Sequence, residues 1–323
     1  MAKRMIKMNS ITNKNIDDAF KDFIKYCRVK NLSNATTQYY EDCFYKFKEY
    51  YQGELKDITT KIVDDYVLHL RGTNITDISV NTYLRGLRVI LYYFMGLGYM
   101  EEFKITIHKA DKKIKETYTD KELEILLKKP NLKQCDFVEY RTWVIVNFLL
   151  GTGCRSNTLC NIKVKDLNIE SEIVILSTTK NKKQQIIPIS NQLSIIIQEY
   201  LTYRQPSTDE DYLFISVYGE QLNSNSLRHS VVRYNQRRGI MKTGIHLFRH
   251  TFAKKWIQNQ GNIFSLQKIL GHSSLEMVKE YVNLYSDDIR SDYDKYNPLK
   301  DFTNTNYISM RRSKSEFKGG GVQ

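Results

Sequence analysis

The chain has 323 residues, 41% of them hydrophobic, which suffices for two ordinary cores and excludes wholesale disorder. No run of 18 apolar residues occurs and the basic start MAKRMIKMNSITNK lacks an apolar stretch, so neither a membrane span nor a signal peptide is expected, and the expected location is the cytoplasm. Lysine and arginine number 49 against 36 acidic residues, a formal charge of +13, which favours a polyanionic partner, nucleic acid ahead of an acidic membrane surface.

Four prolines and many segments of helical periodicity predict a mainly α chain. After an N-terminal segment 1–14, residues 15–30 place Ile16, Ala19, Phe20, Phe23, Ile24 and Cys27 on one helical stripe. A second helix is predicted over 35–51, with Ser33 and Asn34 as cap candidates, a third over 59–71, and a fourth over 79–97 ending near Gly96 and Gly98. These four make a small helical bundle, domain 15–107. Residues 108–118 are polar and lysine-rich (Lys109, Lys112, Lys113, Lys115) and read as a basic linker.

Thr119 and Glu122 form a capping box that opens a second domain, 119–300. Residues 137–150 are too apolar for a surface helix and predict a buried one. The β-branched runs 171–177 and 184–190, joined by TTKNKK, predict a hairpin. Helices follow over 191–204, about 225–238, 247–258 and 265–284, and a tail over 301–323. The predicted fold is therefore α+β, mainly α with a small antiparallel sheet. The five cysteines are scattered, with no C-x-x-C pair, and are expected to pack as small apolar residues.

The sequence holds no P-loop, no G-x-S-x-G, no H-E-x-x-H and no cluster at metal-ligand spacing, so chemistry without ATP, metal or other cofactor is expected. Basic residues and one tyrosine stand out in the second domain. In HLFRH, His246 and Arg249 lie three apart at a helix start and so share a face, where a planar fork and an imidazole together suit a phosphate. Arg155 emerges from an apolar helix through the turn GTGC, and an arginine at such a place seeks an anion. Lys180 sits in the hairpin turn, where it can reach into a groove. Gly271-His272 is followed nine residues after His272 by Tyr281. Each piece alone has an ordinary alternative: a solvated basic helix start, a helix N-terminal arginine paired with a nearby carboxylate, a surface lysine, a structural histidine, a core or surface tyrosine.

The ordered set (arginine in GTGCR, lysine in a hairpin before IIPI, HLFRH, GH, then tyrosine) resembles the catalytic domain of tyrosine recombinases, the phage integrase family. The resemblance covers roughly 119–300, and the helical 15–107 region is similar to the family's core-binding, SAM-like domain. It implies catalytic roles for Arg155, Lys180, His246, Arg249, His272 and Tyr281. Lys180 is preferred over Lys182 and Lys183 for its position eight residues before Pro188, and Tyr281 over Tyr285 for its spacing from His272. Many members carry an acid where this chain has Thr158, whereas Asp166 matches.

The implied reaction is attack of the tyrosine hydroxyl on a DNA phosphodiester. Two arginines and one or two histidines would stabilise the charged phosphorane, and Lys180 would protonate the 5′-oxygen as it leaves. His246 is a candidate acceptor of the tyrosine proton. The resemblance further implies a site-specific recombinase, an integrase or excisionase of a mobile element or a chromosome-dimer resolving enzyme. Its partners would be double-stranded DNA with a specific core site, a homotetramer spanning two such sites, and an accessory DNA-bending or directionality factor. Lys109, Lys112, Lys113 and Lys115 are candidate phosphate contacts, and Arg85 and Arg88 candidates for the major groove. The segment SDDIRSDYDKYNPLK, with Ile289, Tyr293, Tyr296 and Leu299 on a stripe, would dock on a neighbouring protomer. Two alternatives remain at this point: a type IB topoisomerase, and a DNA-binding regulator with an inactive site, for which Thr158 is the hint.

Overall fold

The structure, a computed structural model, describes residues 14–109, 116–177, 184–272, 274–276, 278–279 and 281. The chain divides into two compact units at residues 113 and 114. Among the described residues, no helix is long and apolar enough to cross a membrane.

The first unit holds four helices, α1 (Ile16–Val29), α2 (Asn34–Tyr50), α3 (Thr60–Gly72) and α4 (Asp77–Gly96). All six stripe residues of α1 are buried, as its apolar periodicity requires. Side chains of Asn15, Ser33 and Thr76 cap α1, α2 and α4 by accepting otherwise unpartnered backbone N–H groups. An aromatic core joins the helices: the rings of Phe20 and Phe44 stack 3.7 Å apart, and Phe47 meets Tyr66 edge-on at 5.1 Å. Past α4 the chain leaves without regular structure, tied back by Asn81, whose amide donates to the carbonyl of His108 at 2.9 Å.

The second unit is built on α6 (Phe137–Thr152), whose buried residues include Tyr140, Trp143, Val144, Ile145, Val146, Phe148 and Leu149. A helix that is apolar on every side must be covered on every side. Around α6 pack α5 (Asp120–Leu127), α8 (Asn191–Arg204), α9 (Ser224–Arg237) and α10 (Ile245–Gln258). The Thr119–Glu122 capping box opens α5 as the sequence predicts. Tyr118, just before it, is buried against Phe248 with ring centroids 4.6 Å apart, and its N–H donates to Thr251 Oγ1 at 2.9 Å.

The sheet is three-stranded and antiparallel, in the order β1 (Leu167–Asn168), β2 (Ile173–Leu176), β3 (Gln185–Pro188), with Val174 opposite Ile187. Its connection 178–183 lies outside the described residues.

Two corrections to the predicted elements bear on the site. A short helix α7 (Ser156–Cys160) follows Arg155 where none was predicted. The single helix predicted over 265–284 is in fact broken: α11 (Ile263–Leu270) ends where Gly271 adopts φ +59°, the left-handed conformation of a helix C-cap. Four of the five cysteines are buried, and Cys135 is half-buried against the core of the second unit.

Candidate active site

Two helix ends and one helix start make the site. α6 ends at Gly153, which adopts φ +61° and turns the chain so that buried Cys154 leads to half-exposed Arg155 at the start of α7. α11 ends at Gly271, placing His272 beyond its last turn. The first turns of α10 carry His246, Arg249 and His250, spaced i, i+3, i+4 and therefore on one face.

Arg249 is the hub and is only 6% exposed. Its guanidinium donates to the carbonyls of Gly153 and Leu270, each at 2.7 Å, and its Nη2 lies 2.8 Å from His272 Nε2. The carbonyls at the ends of α6 and α11 are the negative ends of helix dipoles, which offset part of the cost of burying a cation. Burial, then the like charge of Arg155, lowers the Arg249 pKa to about 10, still far above neutrality. Arginine only donates, so in this contact His272 Nε2 is the acceptor.

His246 shows an edge to solvent, but the protein around it, followed by Arg249 and Arg155, holds its pKa below the usual histidine value. Its imidazole is therefore neutral at pH 7. Both arginines act on His246, and Arg155 acts on Arg249, so the three cationic-type side chains share one locality. Among the described residues, neither arginine forms an ion pair with a carboxylate. Two clustered guanidiniums without an acid are an anion site by electrostatics alone.

Tyr281 joins this cluster. It is 2% exposed and packs with Ala253, Leu266, Leu270 and Val278. Its hydroxyl is 2.8 Å from His250 Nδ1, and its ring lies parallel to that of His272, with centroids 6.4 Å and planes 3° apart.

Five of the six residues singled out from sequence thus come together: Arg155, His246, Arg249, His272 and Tyr281. Lys180 lies outside the described residues, as do Lys112, Lys113, Lys115, Tyr285 and the segment 286–300. The hairpin that carries Lys180 is nevertheless anchored at both ends. Asp166 accepts from the Lys163 N–H at 2.8 Å and from Ser177 Oγ at 3.3 Å, and the Gln185 amide donates to the carbonyls of Lys268 and Ile269 at the end of α11. Thr158 is buried on α7. In the first unit, Arg85 is exposed and Arg88 half-exposed on α4, and Lys109 is exposed. Sequence reasoning passed over His250. Its signal was present in HLFRH, where it sits one helical turn after His246.

Gly153 admits no side chain. Its φ is positive, and a Cβ there would meet Phe252 Cδ1 at 2.6 Å and Leu270 Cδ2 at 2.9 Å. Gly153→Ala is expected to destabilise the second unit by about 1–3 kcal/mol, from left-handed strain and overpacking together. It should also displace an Arg249 acceptor, so thermal melting and DNA cleavage should fall together.

Two family models match the chain: the phage integrase family over residues 116–287 and the phage integrase SAM-like domain over 15–114. The tyrosine recombinase XerC of Staphylococcus aureus (strain USA300) is 25% identical over 288 residues, which is 86% of this chain and 95% of that protein. Among solved structures, the Tn1549 transposon integrase in complex with a circular intermediate DNA shares the fold with a TM-score of 0.70 at 19% identity, covering 87% of this chain and 99% of the other. XerH site-specific recombinase bound to a palindromic difH substrate gives 0.66 at 21% identity, covering 88% and 91%. The family models account for most of both units, and the cluster of Arg155, His246, Arg249, His272 and Tyr281 lies within the larger match, so the chain belongs to the phage integrase family: it is a tyrosine recombinase, an enzyme of site-specific DNA recombination.

Proposed function

We propose that Tyr281 is the nucleophile, that Arg155, Arg249 and His246 hold the non-bridging oxygens of the scissile phosphate, and that His272 steadies Arg249 by accepting from its guanidinium. The observation that carries this is a buried phenol beside a guanidinium cluster that, among the described residues, has no carboxylate ion pair. Attack adds a negative charge to the phosphorus centre, and fixed donors in a partly dry pocket stabilise that charge without reorganising. Lys180 protonates the departing 5′-oxygen. The product is a 3′-phosphotyrosine, which keeps the energy of the phosphodiester, so a 5′-hydroxyl of another strand can reverse the step with no ATP.

In this reading residues 15–107 form the core-binding domain, 108–118 a basic linker, and 119–300 the catalytic domain. Each of the two domains contacts duplex DNA at a specific core site. Arg85 and Arg88 face the major groove, and Lys109, Lys112, Lys113 and Lys115 contact phosphates. Four protomers join two duplexes, the segment 286–300 docks on a neighbour, and an accessory DNA-bending or directionality factor sets the outcome. The enzyme serves a mobile element in the cytoplasm. The net charge of +13 supports the DNA partner.

Trapping on a nicked suicide duplex that carries the element's end sequence tests the assignment. A covalent protein–DNA adduct is expected, and peptide mass spectrometry should place the phosphodiester on Tyr281. An adduct mapped to Tyr285, or none on any duplex the protein binds specifically, would overturn it.

A further inference from the structure

We infer that His250 is the group that takes the proton from Tyr281 as the phenol attacks phosphorus. The inference rests on Tyr281 being the nucleophile.

The two imidazoles on the leading face of α10 are placed differently. His246 is exposed, beside both guanidiniums, where an arriving phosphate would meet it. His250, one turn further along, is half-buried, with Nδ1 2.8 Å from the Tyr281 hydroxyl. That is direct hydrogen-bond contact with the reacting oxygen, the geometry a general base needs. The rings are tilted by 45° with centroids 5.7 Å apart, so the contact runs through the nitrogen and the hydroxyl rather than through stacked faces.

The chemistry requires such a group. A phenol has a pKa of about 10 and an imidazole about 6.5, so transfer in the resting protein is uphill. It becomes favourable only as the bond to phosphorus forms and drains electron density from the phenolic oxygen. In that step the Tyr281 O–H bond breaks, the proton passes to His250 Nδ1, the oxygen–phosphorus bond forms, and the 5′-oxygen leaves with a proton from Lys180. The imidazolium arises beside a phosphorane that gains negative charge at the same moment. During religation an incoming 5′-hydroxyl gives its proton to the now neutral Lys180 amine as it attacks, the phosphorus–tyrosine bond breaks, and His250 returns its proton to the phenolate. No outside acid, base or oxidant enters either direction.

The test is His250→Asn, whose amide can occupy the Nδ1 position and hydrogen-bond the phenol but cannot take a proton, with His250→Gln as a second variant should the first fold poorly. Single-turnover adduct formation is expected to slow about 100-fold, at the lower end of general-base effects, with DNA binding and melting temperature near wild type. Placing 2,3,5-trifluorotyrosine at position 281, a more acidic phenol, should recover most of the lost rate. A substrate with sulfur at the bridging 5′ position, which needs no proton to leave, should leave the defect in place. Wild-type cleavage by His250→Asn, or a defect that the fluorinated tyrosine fails to relieve, would overturn the inference. Tyr281→Phe, run alongside, separates the two assignments: its adduct formation would remove the nucleophile itself, whereas an inert Tyr281→Phe beside a fully active His250→Asn would remove only the role of His250.

Discussion

Tyr281→Phe is expected to form no covalent DNA adduct while binding its core-site duplex as tightly as the wild type. The substitution deletes one oxygen. The ring keeps its place among Ala253, Leu266, Leu270 and Val278 and its parallel packing on His272. What is lost is the hydrogen bond to His250, worth about 1 kcal/mol, so the fold should hold. A benzene ring cannot attack phosphorus, so the effect on cleavage is total rather than graded. A suicide-substrate gel, a mobility-shift titration and a thermal melt on the same preparation check the three parts. Residual adduct would mean that another hydroxyl serves.

Arg249→Lys is expected to cleave roughly 10²–10³-fold more slowly, the cost of one lost donor to a developing anion. Charge is retained, but the planar fork is not. Arg249 spends two bonds on the carbonyls of Gly153 and Leu270 and a third contact on His272, and in the proposed reaction the same group also faces the phosphate. One ammonium cannot span both helix ends. Each buried carbonyl left unpaired costs about 1–3 kcal/mol, so the melting temperature should drop by several degrees as well. Comparing the lysine and alanine variants isolates the charge: if lysine cleaves within a few-fold of wild type, bidentate geometry is not what the reaction needs.

Legibility in the sequence followed the length and regularity of each signal. The stripe of α1, the Thr119–Glu122 box and the apolar run of α6 repeat over enough positions to be read directly, and all appear where expected. The two-residue strand β1 and the five-residue α7 are too short to show a period, and only tertiary pairing creates them. The break at Gly271 was missed because apolar periodicity resumes beyond it; the glycine, not the pattern, decides the end of α11. For the site, order and spacing picked out five groups that converge. They did not reveal His250, since a histidine adjacent to an arginine reads as part of a basic patch until a partner across the fold gives it a task. Nor did they reveal that Arg249 is held by main-chain oxygens rather than by an acid, because those oxygens belong to every sequence alike.

The bridging of two helix termini by one guanidinium makes the enzyme's readiness cooperative. The chain from Leu270 through His272 to Tyr281 is the same stretch whose first carbonyl helps to anchor Arg249. Pulling that stretch outward surrenders the anchor, and an occupant that steadies the arginine draws the stretch home. In the proposed reaction such coupling is reciprocal, so loading of the phosphate and seating of the phenol would reinforce each other by the same free energy. Under the proposed roles, weakening either carbonyl anchor is therefore expected to loosen phosphate binding and slow cleavage together.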